Sequence, residues 1–258
     1  MLRFSANLSM LFLEYSFLER FDKAAQSGFR GVEFMFPYDY DIDVLKEKLQ
    51  SNQLEHTLHN LPAGDWAAGE RGIACIPGRE DEFRDGVAAA VRYAKGLGNK
   101  KINCLVGKTP TGFSAEQIQQ TLVENLRYAA NMLAKEDILL LIEPINHFDI
   151  PGFHLTGTHQ ALALIDSVGC NNIKIQYDIY HMQRMEGELT QTMTTWANKI
   201  GHLQIADNPR RGEPGTGEIN YDFIFKFIDK SGYDGWVGCE YKPLTTTEAG
   251  LTWINQYR

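Results

Sequence analysis

The 258 residues are 43% hydrophobic and carry a formal net charge of −8. That content supports a sizeable core and excludes a disordered chain. The acidic balance, with no Lys/Arg run, argues against nucleic acid or an anionic membrane surface as the partner. The opening stretch MLRFSANLSMLF holds no long apolar run or cleavage signature, and no segment reaches the roughly 20 apolar residues of a membrane span, so a cytoplasmic protein is expected.

One pattern recurs along the chain: a helical stretch ends at a glycine, a few turn residues follow, and an apolar strand begins. Gly28 precedes a strand over 31–36, Gly98 one over 101–106, Gly169 one over 173–177 and Gly232 one over 236–241. Glycine just past a helix end adopts the left-handed conformation without a Cβ penalty. The first strand spans 3–8 and the first helix 14–27. A helix over 41–51 carries the apolar stripe Val44, Leu45 and Leu49, and the third strand, 56–61, stops at Pro62. A long loop over 63–77, with Gly64, Gly69 and Gly72, leads to a helix over 79–97. Ser114 and Gln117 form a capping-box pair that opens a helix reaching Lys135.

The fifth strand, 138–143, reads ILLLIE and runs straight into Pro144. A short apolar run bounded by a breaker suits a strand buried on both faces, as in a parallel sheet. A helix over 158–168, a strand over 173–178 and a helix over 188–198 follow. The chain closes with a strand over 202–206, a Gly- and Pro-rich loop, a helix from Asn220 to Lys230, a strand over 236–242 and a short last helix. Eight strands alternating with eight helices, without a composition break, imply an α/β fold: a single (β/α)8 TIM barrel domain over 1–258. A doubly wound open sheet is the runner-up, but no GxGxxG follows the first strand. Cys75, Cys104, Cys170 and Cys239 are scattered with no CxxC, as suits reduced thiols rather than a zinc site or disulfide framework.

Catalytic groups of such barrels collect at the carboxyl ends of the strands. Glu143 ends the fifth strand, Asp178 the sixth, Gln204 lies in the seventh and Glu240 late in the eighth, so the four can meet along one arc of the mouth. Each alone reads equally well as a satisfied polar residue. Together they pose a problem of charge, because two carboxylates about 4 Å apart repel by roughly 4 kcal/mol at an effective dielectric of about 20. Either one takes up a proton, or a divalent cation sits among them. An all-oxygen donor set favours Mg2+ or Mn2+ over Zn2+.

The segments FSANLSMLF, GVEFMFPYDY, NLPAGDWAAGERG, LLIEPIN, QYDIYHMQ, HLQIAD, EPGTGEINYD and GCEYKP run through the whole chain. With them the sequence resembles the hydroxypyruvate isomerases, within the larger group of xylose isomerase-like barrels. The resemblance implies a divalent metal held by Glu143, Asp178, Gln204 and Glu240, with Glu143 and Glu240 as the proton-transferring pair and no organic cofactor. The related sugar epimerases carry histidine where this chain has Gln204, which leaves the metal's identity open. The implied reaction interconverts hydroxypyruvate and tartronate semialdehyde through an enediolate, one carboxylate removing a proton and another returning one.

A small 2-oxo or hydroxy acid is thus the expected partner, with homo-oligomer formation left open. Its carboxylate calls for a cation, and Arg71, Lys108, Arg211 and Lys242 all fall after predicted strands. Arginine offers the matching fork, and Arg211 matches the family's arginine ahead of PGTGE. For any one of them a solvated surface charge is the plainer reading. By resemblance to sugar-isomerising relatives, His181 hydrogen-bonds a substrate oxygen, whereas a solvated loop histidine is the alternative. His202, two residues before Gln204, reads as packed one layer deeper. Glu33 is a further polar wall or a support behind the metal ligands. Phe34, Phe36, Trp66 and Tyr177 read mainly as packing. The rival functions are a 2-oxo-tetronate isomerase, a sugar or sugar-acid isomerase or epimerase, a metal-dependent nuclease acting on damaged DNA, and a non-catalytic sugar-acid binder. The nuclease needs a histidine-rich cluster and a basic face, and neither is evident.

Overall fold

The computed structural model of the protein describes residues 1–257, and its eight parallel strands close into a barrel in chain order. They are β1 (Arg3–Asn7), β2 (Gly31–Glu33), β3 (Glu55–Asn60), β4 (Lys101–Cys104), β5 (Leu139–Ile142), β6 (Ile173–Asp178), β7 (Ile200–Ile205) and β8 (Trp236–Cys239). β1 pairs with β8 from Arg3↔Trp236 to Ala6↔Cys239, so no strand is left as an open edge. The helices between them are α1 (Phe17–Gln26), α2 (Ile42–Ser51), α3 (Glu80–Leu97), α4 (Ala115–Ala134), α5 (Thr158–Val168), α6 (Ile179–Met185), α7 (Leu189–Thr195), α8 (Tyr221–Lys230) and α9 (Thr247–Gly250).

The core lies between barrel and helices. α3 shows how the sequence builds it: Phe83, Val87, Ala90, Ala94 and Leu97 recur at helical spacing and are all buried. Burying one Val, Leu or Phe side chain contributes about 1.5–3 kcal/mol. Gly98, at φ +75°, then ends the helix in a conformation costly to any residue with a Cβ. No disulfide forms among the described residues, and Cys75, Cys104 and Cys239 are buried. Among the described residues no helix is long and apolar enough to cross a membrane.

The structure departs from the predicted elements in two instructive places. β2 stops at Glu33 instead of running to residue 36, because its register with β3 slips between Val32 and Glu33. And β6 passes directly into α6, where the sequence suggested no helix before residue 188. Asp178 makes that turn. Its Oδ1 accepts from the backbone N–H groups of Tyr180 (2.7 Å) and His181 (3.3 Å), so the last strand residue is also the helix cap.

Candidate active site

The carboxyl ends of the strands surround a cavity of about 390 Å3 lined by Glu143, His181, Gln204, Arg211, Glu240 and Arg71, among others. Glu143 follows β5 directly, where Pro144 ends the ladder. Both flanking strands hold it: Asn103 Nδ2 of β4 and Gln176 Nε2 of β6 donate to its Oε2 at 3.0 and 2.9 Å. Oε1 is left facing His181 Nε2 at 3.9 Å. Glu240 follows β8. Its Oε1 accepts from Asn7 Nδ2 (3.3 Å) and its Oε2 from Arg211 Nη2 (2.9 Å).

Arg211 comes from the Gly- and Pro-rich loop after β7, which winds around one side chain. Asp207 Oδ2 accepts from the N–H groups of Gly215 and Gly217, each at 2.9 Å, and its Oδ1 from that of Ile219 at 3.0 Å. A Cβ at Gly217 would collide with the Asn208 carbonyl, so the loop closes only around glycine there. The backbone carbonyl of Arg211 accepts from Lys242 N–H at 2.7 Å, tying this loop to the end of β8.

Asp178 is fully buried, and its Oδ2 finds no hydrogen-bond donor among the described residues. Burial is the main force raising the pKa values of these acids. Asp178 is pushed up to about 6 despite Arg211 and its two backbone donors. Glu240 is pushed up to about 8 by burial, against Arg211, with Asp178 and Glu33 adding to the rise. Glu143 stands well above the usual carboxylate range through burial and then the charges of Glu240 and Asp178.

His181 is the opposite case: burial, then Arg211 and Arg184, hold it well below an ordinary imidazole, so it is neutral at pH 7. Its Nδ1 accepts from the Asn146 side chain (2.6 Å) and backbone N–H (3.3 Å). The proton is therefore on Nε2, which faces Glu143 and Asp178.

The residues fit a divalent cation. Glu143 and Asp178 each bring one carboxylate oxygen to within 4.8 Å of the other, beside His181. At that spacing two carboxylates repel by roughly 3–4 kcal/mol at an effective dielectric near 20. Asp178 Oδ2, buried and without a donor, is the oxygen a cation would satisfy.

Of the substrate-binding candidates, His181 and Arg211 meet at the acids, with Arg211 Nη2 3.4 Å from His181 Nε2. Arg71 lines the same cavity, stacked 3.9 Å over Trp66 and donating through Nη1 to the carbonyls of Trp66 and Glu70. Lys108 is not among the lining residues; its Nζ donates to the Gly69 carbonyl at 2.8 Å. Phe34 and Trp66 line the cavity, Phe36 packs on Trp66, and Tyr177 is buried away from it. Sequence reasoning passed over the amides Asn7, Asn103 and Gln176, and Asn146. Gln176 had a legible signal: it stands two residues before Asp178, on the same strand face.

A closed barrel with Glu143 and Glu240, just past β5 and β8, lining one cavity and Asp178 buried at the end of β6 defines a class, and this chain belongs to it: the xylose isomerase-like TIM barrel family, whose model matches residues 21–257. Within that class it is 84% identical over 258 residues, all of both chains, to the hydroxypyruvate isomerase of Escherichia coli (strain K12). The 2-oxo-tetronate isomerase of Cupriavidus necator is 45% identical over 99% of this chain and 98% of its own. A solved structure named as an AP endonuclease, family 2, from Brucella melitensis superposes with a TM-score of 0.97 at 46% identity, covering all of both chains.

Proposed function

We propose that this isomerase interconverts hydroxypyruvate and tartronate semialdehyde by moving a proton between neighbouring carbons through an enediolate. The observation that carries the reading is that Glu143 and Glu240 line one cavity with a neutral, N–H-bearing imidazole beside them. One glutamate removes a proton from the hydroxymethyl carbon and the other returns one at the former carbonyl carbon. Burial raises both acids above the usual carboxylate range, Glu240 to about 8, and an acid–base group works best when its pKa lies near the operating pH. His181 Nε2–H donates to a substrate oxygen as negative charge grows there. With Nδ1 occupied by Asn146, that nitrogen serves as a donor rather than a metal ligand.

The cation would be held by Glu143, Asp178, Gln204 and Glu240, and oxygen donors favour Mg2+ or Mn2+. When bound it would stabilise charge developing on the substrate's carbonyl and hydroxyl oxygens. Arg211 compensates Glu240 and Asp178 and borders the substrate. Arg71 is pre-ordered by Trp66 and two carbonyls, with guanidinium donors left for the substrate carboxylate. Lys108, engaged by Gly69, is left out of this proposal.

A cavity of about 390 Å3 also favours a second reading, a four-carbon 2-oxo-tetronate, the substrate class in the name of the Cupriavidus relative. Initial rates on the two acids separate them. A higher kcat/KM on hydroxypyruvate is expected, and a higher value on the tetronate would overturn the substrate assignment. The nuclease reading suggested by the Brucella structure's name is disfavoured because the acid cluster contains a single histidine and the chain carries a net charge of −8.

A further inference from the structure

Glu33 is a fully buried carboxylate that the proton transfer does not use. It ends β2, where Asn7 of β1 is its strand partner. Its two oxygens take three N–H donors: Asn7 Nδ2 (3.1 Å) and Gln204 Nε2 (2.7 Å) on Oε1, and His202 Nε2 (2.9 Å) on Oε2. Room for it comes from Gly238, the strand partner of Gln204, where a Cβ would stand 2.5 Å from both carboxylate oxygens.

We infer that Glu33 is a positioning residue that fixes which end of the Gln204 amide is turned to the cation site. The inference rests on Gln204 as one of the cation's oxygen donors. An amide has one end that donates and one that accepts, and only the carbonyl oxygen can meet a cation. Glu33 offers acceptors alone, so it takes the NH2 end. The oxygen is thereby turned the other way, where it accepts from Gln176 Nε2 at 2.7 Å. Gln176 is oriented by the same logic, because its NH2 also donates to Glu143 Oε2. Two carboxylates at opposite ends of the arc thus set the direction of both amides between them. Without Glu33, the Gln204 and His202 N–H groups lose this acceptor, Asn7 keeps only Glu240 Oε1, and the Gln204 amide is free to turn its NH2 inward.

The test is a double-substitution cycle read by Mn2+ binding, with free Mn2+ followed by its electron paramagnetic resonance signal and folding checked by circular dichroism. Glu33→Leu should weaken Mn2+ binding about 10–100-fold, the range for lost support behind a metal ligand. In a Gln204→Ala background the same change should cost less than about threefold, because Glu33 acts through that amide. Equal weakening in both backgrounds, or none in either, overturns the inference. Should Glu33→Leu fail to fold or Gln204→Ala bind no Mn2+, the order of two milder variants decides. Glu33→Gln keeps an acceptor in place and should bind more tightly than Glu33→Asp, which keeps the charge but withdraws it. The reverse order means that charge, not position, matters. A wild-type protein that binds no Mn2+ overturns the cation reading itself and the inference with it.

Discussion

Replacing Glu240 with glutamine tests the paired-acid mechanism where it is most exposed to failure. The side chain fits the same space. Its amide oxygen can still accept from Arg211 Nη2, now 2.9 Å from Oε2, while its NH2 is set against Asn7 Nδ2, now 3.3 Å from Oε1. The loss is one hydrogen bond, about 1 kcal/mol, and it is offset by removing a charge that crowds Asp178 and Glu143. Melting should therefore move by only a few degrees. Turnover should respond very differently, because a positioned acid–base group contributes about 10²–10⁴-fold, or roughly 2.7–5.4 kcal/mol of barrier. The assay is proton NMR in D2O with hydroxypyruvate, run beside Glu143→Gln. Product from the wild type should carry solvent deuterium. The variant lacking the first base should neither exchange the substrate's hydroxymethyl hydrogen nor form product. The variant lacking the second acid should exchange without forming product. Glu240→Gln turning over within about threefold of wild type, or wild-type product free of deuterium, would refute the mechanism.

Two further outcomes probe the buried charges. Asp178→Asn keeps an oxygen for the Tyr180 and His181 N–H groups while removing an acid pushed up to about 6 by burial. In chelator the variant should be more stable than wild type by up to about 3 kcal/mol, the cost of a roughly two-unit rise at pH above 6. It should also lose most of the stabilisation that Mn2+ gives the wild type; an unchanged Mn2+ response would remove Asp178 from the cation site. His59, buried against His56 and held by Asn99 and the Ala90 carbonyl, has its pKa lowered from 6.5 to about 4 by burial. The unfolded chain takes up this proton below pH about 6.5 and the folded one only near 4, so the contribution is complete above 6.5 and falls away between 6.5 and 4. About 3 kcal/mol is at stake. Urea midpoints should drop over that interval less steeply in His59→Gln than in wild type; equal slopes would refute the assignment.

The barrel was legible because its signals are local and repeated. Gly98 and Gly169 sit at positive φ just past α3 and α5, and β4 and β6 start soon after these stops, at Lys101 and Ile173. α6 was hidden because its cap, Asp178, is also the last residue of β6, and no polar break separates strand from helix. The β2 boundary was overrun because VEFMF looks uniformly strand-like, whereas the slip at Val32/Glu33 depends on the partner strand. Glu143, Asp178, Gln204 and Glu240 could be listed from their strand-end positions. What the sequence left open was which groups would reach them, because that depends on neighbours far apart along the chain.

Those neighbours follow one rule. Asn7, Asn103 and Gln176 each direct an NH2 group at one oxygen of a cavity glutamate, on Glu240 Oε1 or Glu143 Oε2. Amides suit this task better than cations, since they orient a carboxylate without adding a charge that would make it a poorer base. Among the described residues, the single full positive charge paired with these acids, Arg211, lies on Glu240 and near Asp178, while the donors on Glu143 are neutral amides. Three buried acids against one arginine leave a deficit of positive charge concentrated at Glu143 and the bare Asp178 oxygen. A divalent cation would remove that deficit, and proton uptake by Glu143 would do so only in part. If the first account holds, the amides exist to aim oxygens at a metal and a substrate. If Mn2+ leaves both melting and turnover unmoved, burial keeps one acid protonated against the pull of the same amides, and the isomerisation runs on glutamates and His181 alone.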